Sequence, residues 1–381
     1  MVCTDRGTGH AVKRASTSQS VIDAVRSLLP ELEAAAPYVD RNGAVDSAVI
    51  EGLHDAGYFA LLQPAAFGGS EAEPDDYLTA TRELSAACVS TGWLAGWLAV
   101  NSWGLSVRDD RVLQEIWGAD RRALLCSSYA PTGRLERVDG GYRLTGRWTR
   151  CTGARHASWL SAAALRVGPD GAAQDFMAVL VPRSDYVVES TWNGLGLRGI
   201  GADDVVASAV FVPEHRAFSW LDGYDVANAT PLDRLPQPTL YTLAGTMPLL
   251  GAAQRVLAGV LTEAEPALSA VAMASADIEL SLLQIRRNVA ELVTRVRADV
   301  PLDAELVLRT RRDQVMAAER AVRAVRTVRT IMPTPGLDDV LTERVWRDVQ
   351  TARMHVASNV EQVLSVAGRF AMGLNVDDLI W

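Results

Sequence analysis

The residues able to do chemistry in this chain are few and scattered. Of 37 basic residues only Lys13 is a lysine; the other 36 are arginines. That excludes Schiff-base and pyridoxal chemistry, and the GxxxxGK phosphate loop too, because each needs a lysine in a folded site. An anion held here must be held by Arg, backbone N–H groups or hydroxyls. Cys3, Cys88, Cys126 and Cys151 show no paired spacing and read as free thiols of a reducing compartment. His10, His54, His156, His215 and His355 form no HExxH or similar array, so no metal is expected. His355 alone falls in a helix predicted for the C-terminal part, and an unperturbed pKa of ~6.5 suits proton transfer near neutrality.

Two patterns look like motifs. Gly194-Leu-Gly-Leu-Arg-Gly199 spells GxGxxG. A dinucleotide fingerprint needs a helix after it, and residues 204–212 read as a strand, so a glycine-rich turn is the better reading. Arg320, Arg323, Arg326 and Arg329 recur every three residues. Each step drifts by about 60° on a helix, which gives a slanted stripe rather than one anion patch. Asp348 lies one turn beyond Arg344 and is expected to pair with it.

The elements that must position these residues follow from composition and period. The chain has 381 residues, 49% apolar and 22% charged, with a formal charge of −9. That supports a sizeable core in two or three domains and excludes disorder as the main state. The acidic balance argues against nucleic acid as a partner. The first twenty residues carry no apolar h-region, and no apolar run reaches the length of a membrane span, so a cytoplasmic protein with no membrane partner is expected.

Apolar residues recur at helical spacing from about 21 to 103, with Asp46–Ser47 as a cap and Pro74 as a first-turn proline. From about 124 to 212 the period is two, with a hairpin turn at Asp139-Gly140-Gly141. From about 240 to 372 it is helical again, punctuated at Pro248, Pro266, Pro301 and the 333–336 stretch. The reading is α+β: a helical N-domain (18–122), a middle antiparallel β-barrel or sandwich (123–218) and a C-terminal four-helix bundle (236–381). The last is apolar enough to suggest homo-oligomerisation.

Several ordered segments resemble one family. They are Leu62-Gln-Pro-Ala-Ala-Phe-Gly-Gly69, Ser127-Ser-Tyr-Ala-Pro-Thr-Gly133, Gly140-Gly-Tyr-Arg-Leu-Thr-Gly-Arg-Trp148, Thr191-Trp-Asn-Gly-Leu-Gly-Leu-Arg-Gly199 with Val210-Phe-Val-Pro213, and Arg344-Val-Trp-Arg-Asp348 with His355 beyond it. In order and spacing they are similar to the acyl-CoA dehydrogenase fold, and within it to the two-component flavin-dependent monooxygenases, such as phenol, hydroxyphenylacetate and aromatic polyketide hydroxylases and amino-sugar N-oxygenases. The likeness covers nearly the whole chain.

The resemblance implies reduced FAD or FMN supplied by a separate, transient flavin reductase, an aromatic small-molecule substrate and a homotetramer. It makes His355 the base that deprotonates a phenol, and Ser128 a second catalytic group. Ser127 and Ser128 would face the flavin, with Trp148, Cys151, Thr152 and Gly153 lining the loop beside it. Trp97, Asn101 and Trp103 would border the substrate. Asn101 stands where many phenol hydroxylases carry His. Residues 256–285 contain no Arg or Lys, where relatives that bind FAD place a phosphate-holding Arg. Arg255, Arg286, Arg309, Arg311 and Arg312 are substitutes, with Arg312 taken as the cofactor ligand. The alternatives are an acyl-CoA dehydrogenase, which needs a carboxylate base near Glu361, an N-oxygenase, or a redox-neutral relative that has lost flavin.

Overall fold

The structure, a computed structural model, describes residues 18–219, 230–260, 268–331 and 340–376. Cys3, His10, Lys13, Pro266 and the 333–336 stretch lie outside the described residues.

The chain opens with helices α1 (Ser18–Asn42), α2 (Ser47–Asp55), α3 (Pro74–Ala87), α4 (Val89–Ser106) and the short α5 (Asp110–Leu113). Asp46 caps α2 by accepting the Ala48 N–H at 2.9 Å. Pro74 begins α3 with Asp75 and Asp76 in its first turn. Helix α4 is apolar on every face and buried from Val89 to Leu105 apart from Gly104. Its packing against α3 requires glycine: a Cβ on Gly92 would lie 1.9 Å from Ser85 Oγ.

The middle part is β1 (Leu125–Val138), β2 (Gly141–Cys151), β3 (Trp159–Val167), β4 (Ala173–Pro182), β5 (Val187–Glu189), β6 (Asp203–Pro213) and β7 (Ala217–Ser219). They form one seven-stranded sheet in the order β5-β6-β2-β1-β3-β4-β7. The expected hairpin is there, with Gly140 at φ +72°. The expected all-antiparallel barrel or sandwich is not: β1 and β3 are parallel neighbours. Strand β3 runs opposite to β2, and because it crosses to the far edge of β1 it must run parallel to β1.

The C-terminal part holds α6 (Pro238–Val260), α7 (Leu268–Arg297), α8 (Ala304–Ile331), α9 (Val340–Ala352) and α10 (Val360–Ala371), five helices among the described residues where four were expected. By length and composition alone α7 could cross a membrane, which the sequence reading did not anticipate; here it packs on α8. The arginine stripe on α8 serves helix contacts. Arg320 donates to Gln284, Arg323 pairs with Asp277, and Arg329 lies over the Trp346 ring.

The GxGxxG segment joins β5 to β6 as a turn and ties the parts together. A Cβ on Gly196 would lie 2.1 Å from Arg347 O. Gly196 N–H donates to Thr351 Oγ1, Gly199 N–H to Ser90 Oγ, and Arg198 to Asp40 O.

Candidate functional site

Trp93, Trp97 and Asn101 lie four residues apart on α4, so they form one stripe along the helix. Three other elements meet that stripe. His355, just past α9, has its ring 4.6 Å from Trp97 and 5.6 Å from Trp93. Tyr241 of α6 lies 6.2 Å from Trp97 and 6.0 Å from Trp103. From β1, Tyr129 donates its hydroxyl to Tyr241 at 2.9 Å, and Ser127 donates to Asn101 Oδ1 at 3.1 Å. Asn101 Nδ2 in turn donates to Leu125 O, so both ends of this amide are engaged. A narrow cleft continues from here past Arg108, Ser161, Phe218 and Gln237.

The structure places His355 outside the helix in which it was expected. Helix α9 stops at Ala352, and His355 caps a following 3-10 turn, Val356–Ser358, with Nδ1 accepting the Ala357 N–H at 3.2 Å. A backbone N–H can only donate, so the neutral ring must carry its proton on Nε2. Burial pushes its pKa down to about 4. At neutral pH this histidine is therefore uncharged and presents an N–H rather than a lone pair.

The other predicted residues separate. Consecutive strand residues face opposite sides: Ser127 reaches Asn101, while Ser128 turns toward the buried Cys151. Trp148 is fully buried in the sheet and its indole N–H bonds Ala163 O at 2.7 Å, so it is a core residue and its ring has no open face to offer. Cys151 is buried too, its thiol pushed well up by burial. Gly153, at φ +77°, is where the loop after β2 presses on α4; a Cβ would lie 2.8 Å from Leu94 and Leu98. Thr152 precedes it, half-buried. Trp103 donates to Leu232 O. Arg312 is half-exposed and paired with Asp313. The expected Arg344–Asp348 pair is not formed: Asp348 Oδ1 instead accepts the Leu197 N–H at 2.5 Å, and burial pushes this carboxyl up to about 7. Glu361 is exposed on α10. Tyr129, Tyr241 and Gln237 were missed; only Tyr129 sat inside a quoted segment, and nothing in the spacing marks the other two.

Two donors at this wall are buried with no partner among the described residues, Trp97 Nε1 and Gln237 Nε2. Most such groups in folded proteins are satisfied, so each is free to donate to a bound molecule or to water. A flavin fits: a planar ring that stacks on aromatic walls and carries carbonyl oxygens and ring nitrogens able to accept from buried N–H groups. No cluster of metal ligands exists among the described residues.

Comparison with known proteins agrees with this geometry. Residues 16–105 match the acyl-CoA dehydrogenase N-terminal domain and residues 243–360 the acyl-CoA dehydrogenase C-terminal domain. The chain is 32% identical to the flavin-dependent monooxygenase oxygenase subunit HsaA of Mycobacterium tuberculosis, over 95% of this chain and 97% of that protein. It is 31% identical to the FADH2-dependent resorcinol hydroxylase oxygenase component of a Rhizobium species, over 96% and 97%. The crystal structure of the M. tuberculosis HsaA superposes with a TM-score of 0.91 at 32% identity, covering 96% of this chain and all of that one. XiaF from Streptomyces, solved with FADH2 and glycerol, gives 0.88 at 25% identity, over 94% and 96%.

Proposed function

The chain belongs to the flavin-dependent monooxygenase oxygenase components built on the acyl-CoA dehydrogenase fold, and from that premise we propose that it hydroxylates a phenolic, polyketide-like small molecule at the Trp97–His355 wall. The observation that carries this reading is the buried, unpartnered Trp97 Nε1 beside a histidine that presents an N–H. When bound, reduced flavin from a separate reductase supplies two electrons to dioxygen, so that one oxygen enters the substrate and the other leaves as water.

The chain's own residues do the rest. Ser127, Thr152, Gln237 and Trp97 supply hydroxyl and N–H groups for the flavin. Trp93, Trp97 and Tyr241 form an aromatic wall that excludes water. His355 donates from Nε2 to the phenol oxygen, which favours the phenolate and makes the ring electron-rich. This donor role replaces the expected base: to accept a proton on Nε2, His355 would have to surrender its bond from Ala357. Apolar side chains flank it, Met354 at 81% and Val356 at 77% exposure, with Met372 at 77% just past α10. Such a patch supports self-association, and a homotetramer is the proposed form.

The test is anaerobic equilibrium dialysis with dithionite-reduced FAD and FMN, followed by 18O2 and a panel of phenols. One 18O atom in a hydroxylated product is expected. Absence of affinity for either reduced flavin would sink the reading.

A further inference from the structure

Three successive residues of the glycine-rich segment give a backbone group to one helix, α9. Arg347 donates to Leu195 O at 3.0 Å, Thr351 Oγ1 accepts the Gly196 N–H at 2.9 Å, and Asp348 Oδ1 accepts the Leu197 N–H at 2.5 Å. Arg347 also holds both oxygens of Asp40 on α1, at 3.1 and 2.8 Å. The segment is fixed from its other side by the sheet. Asp203, fully buried at the start of β6, accepts the Thr191 and Trp192 N–H groups through Oδ1 at 3.0 Å, and Trp192 Nε1 donates to Leu197 O at 2.8 Å. Leu197 is buried at φ +50°, a left-handed backbone that leucine rarely adopts. Such a conformation persists only where its surroundings over-determine it, and it concentrates at functional sites.

Helix α9 carries this grip to the aromatic wall. Asp348 and Thr351 precede His355 by seven and four residues. Beyond Thr351 the chain turns on the carbonyls of the last helical turn: Arg353 N–H donates to Val349 O at 3.1 Å, Met354 N–H to Thr351 O at 3.2 Å and His355 N–H to Ala352 O at 3.1 Å. Arg353 pairs with Glu319 of α8 at 3.2 Å. The His355 ring thus hangs from the end of a helix whose place along its own axis is set by residues 195–197. Hydrogen bonds tolerate little displacement, so a slide of about 1 Å would move Nε2 out of reach of a phenol oxygen held by the wall.

We propose that Asp348 and Thr351 are positioning residues for His355: by gripping the Gly196 and Leu197 N–H groups they fix the level at which the Nε2 N–H meets the substrate oxygen. This rests on the donor reading of His355 above, and it gives the glycine-rich segment a part in the reaction that touches neither flavin nor substrate.

The test reads the ionisation of p-nitrophenol bound to the full chain loaded with reduced FAD, followed anaerobically by the phenolate absorbance across neutral pH. The parent should favour the bound phenolate, and His355→Ala should cut the phenolate-to-phenol ratio by about tenfold, the loss of one hydrogen bond. Thr351→Val, close to the same shape but without the hydroxyl acceptor, should cut it by about threefold, and Thr351→Ser should restore it. Asp348→Ala should fall with Thr351→Val, and Asp348→Asn, which keeps an oxygen acceptor, should stay near the parent. Trp148→Phe, loosened in the sheet instead, should leave the ratio unchanged. Affinity for reduced FAD should be the same in all of them. A ratio in Thr351→Val equal to that of the parent would overturn the positioning role while leaving the donor reading intact. So would a parallel fall in Trp148→Phe or in flavin affinity, since either marks general loosening. If the parent does not favour the phenolate, or His355→Ala leaves the ratio as it was, the donor reading falls and the positioning role with it. The Thr351 pair decides the matter if Asp348→Ala does not fold.

Discussion

Two tryptophans, Trp97 and Trp148, look alike in the sequence and in burial, yet they belong to opposite kinds of place. Trp148 is wholly buried in the sheet, and its N–H is satisfied by Ala163 O. Gly133 and Gly146 are small because its ring lies against them; a Cβ on either would come within 3 Å of it. Trp97 is 8% exposed and packs among His355, Trp93 and Tyr241, but its N–H has no partner among the described residues. Burial alone does not separate a core residue from a site residue. Whether the polar atom is satisfied does, because a folded core seldom leaves a donor dry without a reason.

The largest expected effect breaks the satisfied side. Trp148→Ala should lower stability by about 3–5 kcal/mol, the usual cost of emptying a buried aromatic site. Flavin affinity per folded molecule should stay within about twofold. Denaturant titration and equilibrium dialysis check the two halves. A selective loss of flavin affinity in a fully folded variant would return Trp148 to the site.

The next effect belongs to His355, which the other wall keeps neutral. Its folded pKa, about 4, lies below the unfolded value of ~6.5, so below pH 6.5 the unfolded chain takes up a proton that the native one refuses. Stability from this group is present above pH 6.5 and falls by about 3 kcal/mol on the way to pH 4. Asp348, pushed up to about 7, works in the opposite sense over the same window. The readable quantity is therefore the difference between the parent and His355→Ala, which should shrink steadily from pH 7 to pH 4. A constant difference would mean that His355 titrates normally. Turnover should show the same character: no acid limb near pH 6.5, and more activity in His355→Asn, which keeps an N–H, than in His355→Ala.

Much of the architecture was legible because periodicity reports it. The switch from helical spacing to alternation and back marked the three regions, and the Asp139-Gly140-Gly141 turn marked the hairpin. The parallel β1–β3 pair was not legible, since a strand's neighbours depend on where the chain crosses and not on its own pattern. The site was legible only in part. Resemblance pointed to His355 and Ser127, but no local signal distinguishes Ser127 from Ser128 until the strand's facing is known. His355 was placed in a helix because the apolar period runs through it; the turn after Ala352 instead sets its Nδ1 to accept the Ala357 N–H. Arg311 and Arg312 are adjacent in sequence, and only the position of Asp313 decides which of them is left with neutral partners.

The smallest expected change in stability comes from Trp97→Phe, and it is the one that sharpens the comparison. Phenylalanine keeps an aromatic ring against His355 and Tyr241 and removes only the N–H and part of the ring area. Because that N–H has no partner to lose, stability without ligand should move by no more than about 1 kcal/mol. Trp148→Phe removes an N–H as well, but one that Ala163 O accepts inside the sheet, which should cost about 1–3 kcal/mol. Binding should reverse the order. Trp97→Phe should lose about tenfold in affinity for whichever molecule accepts its N–H, reduced flavin or the phenol, and Trp148→Phe should lose none. Dialysis with each ligand separately then identifies the acceptor. If Trp97→Phe destabilised the free protein as much as Trp148→Phe, the indole would have an internal partner after all, and the wall would be core on both sides.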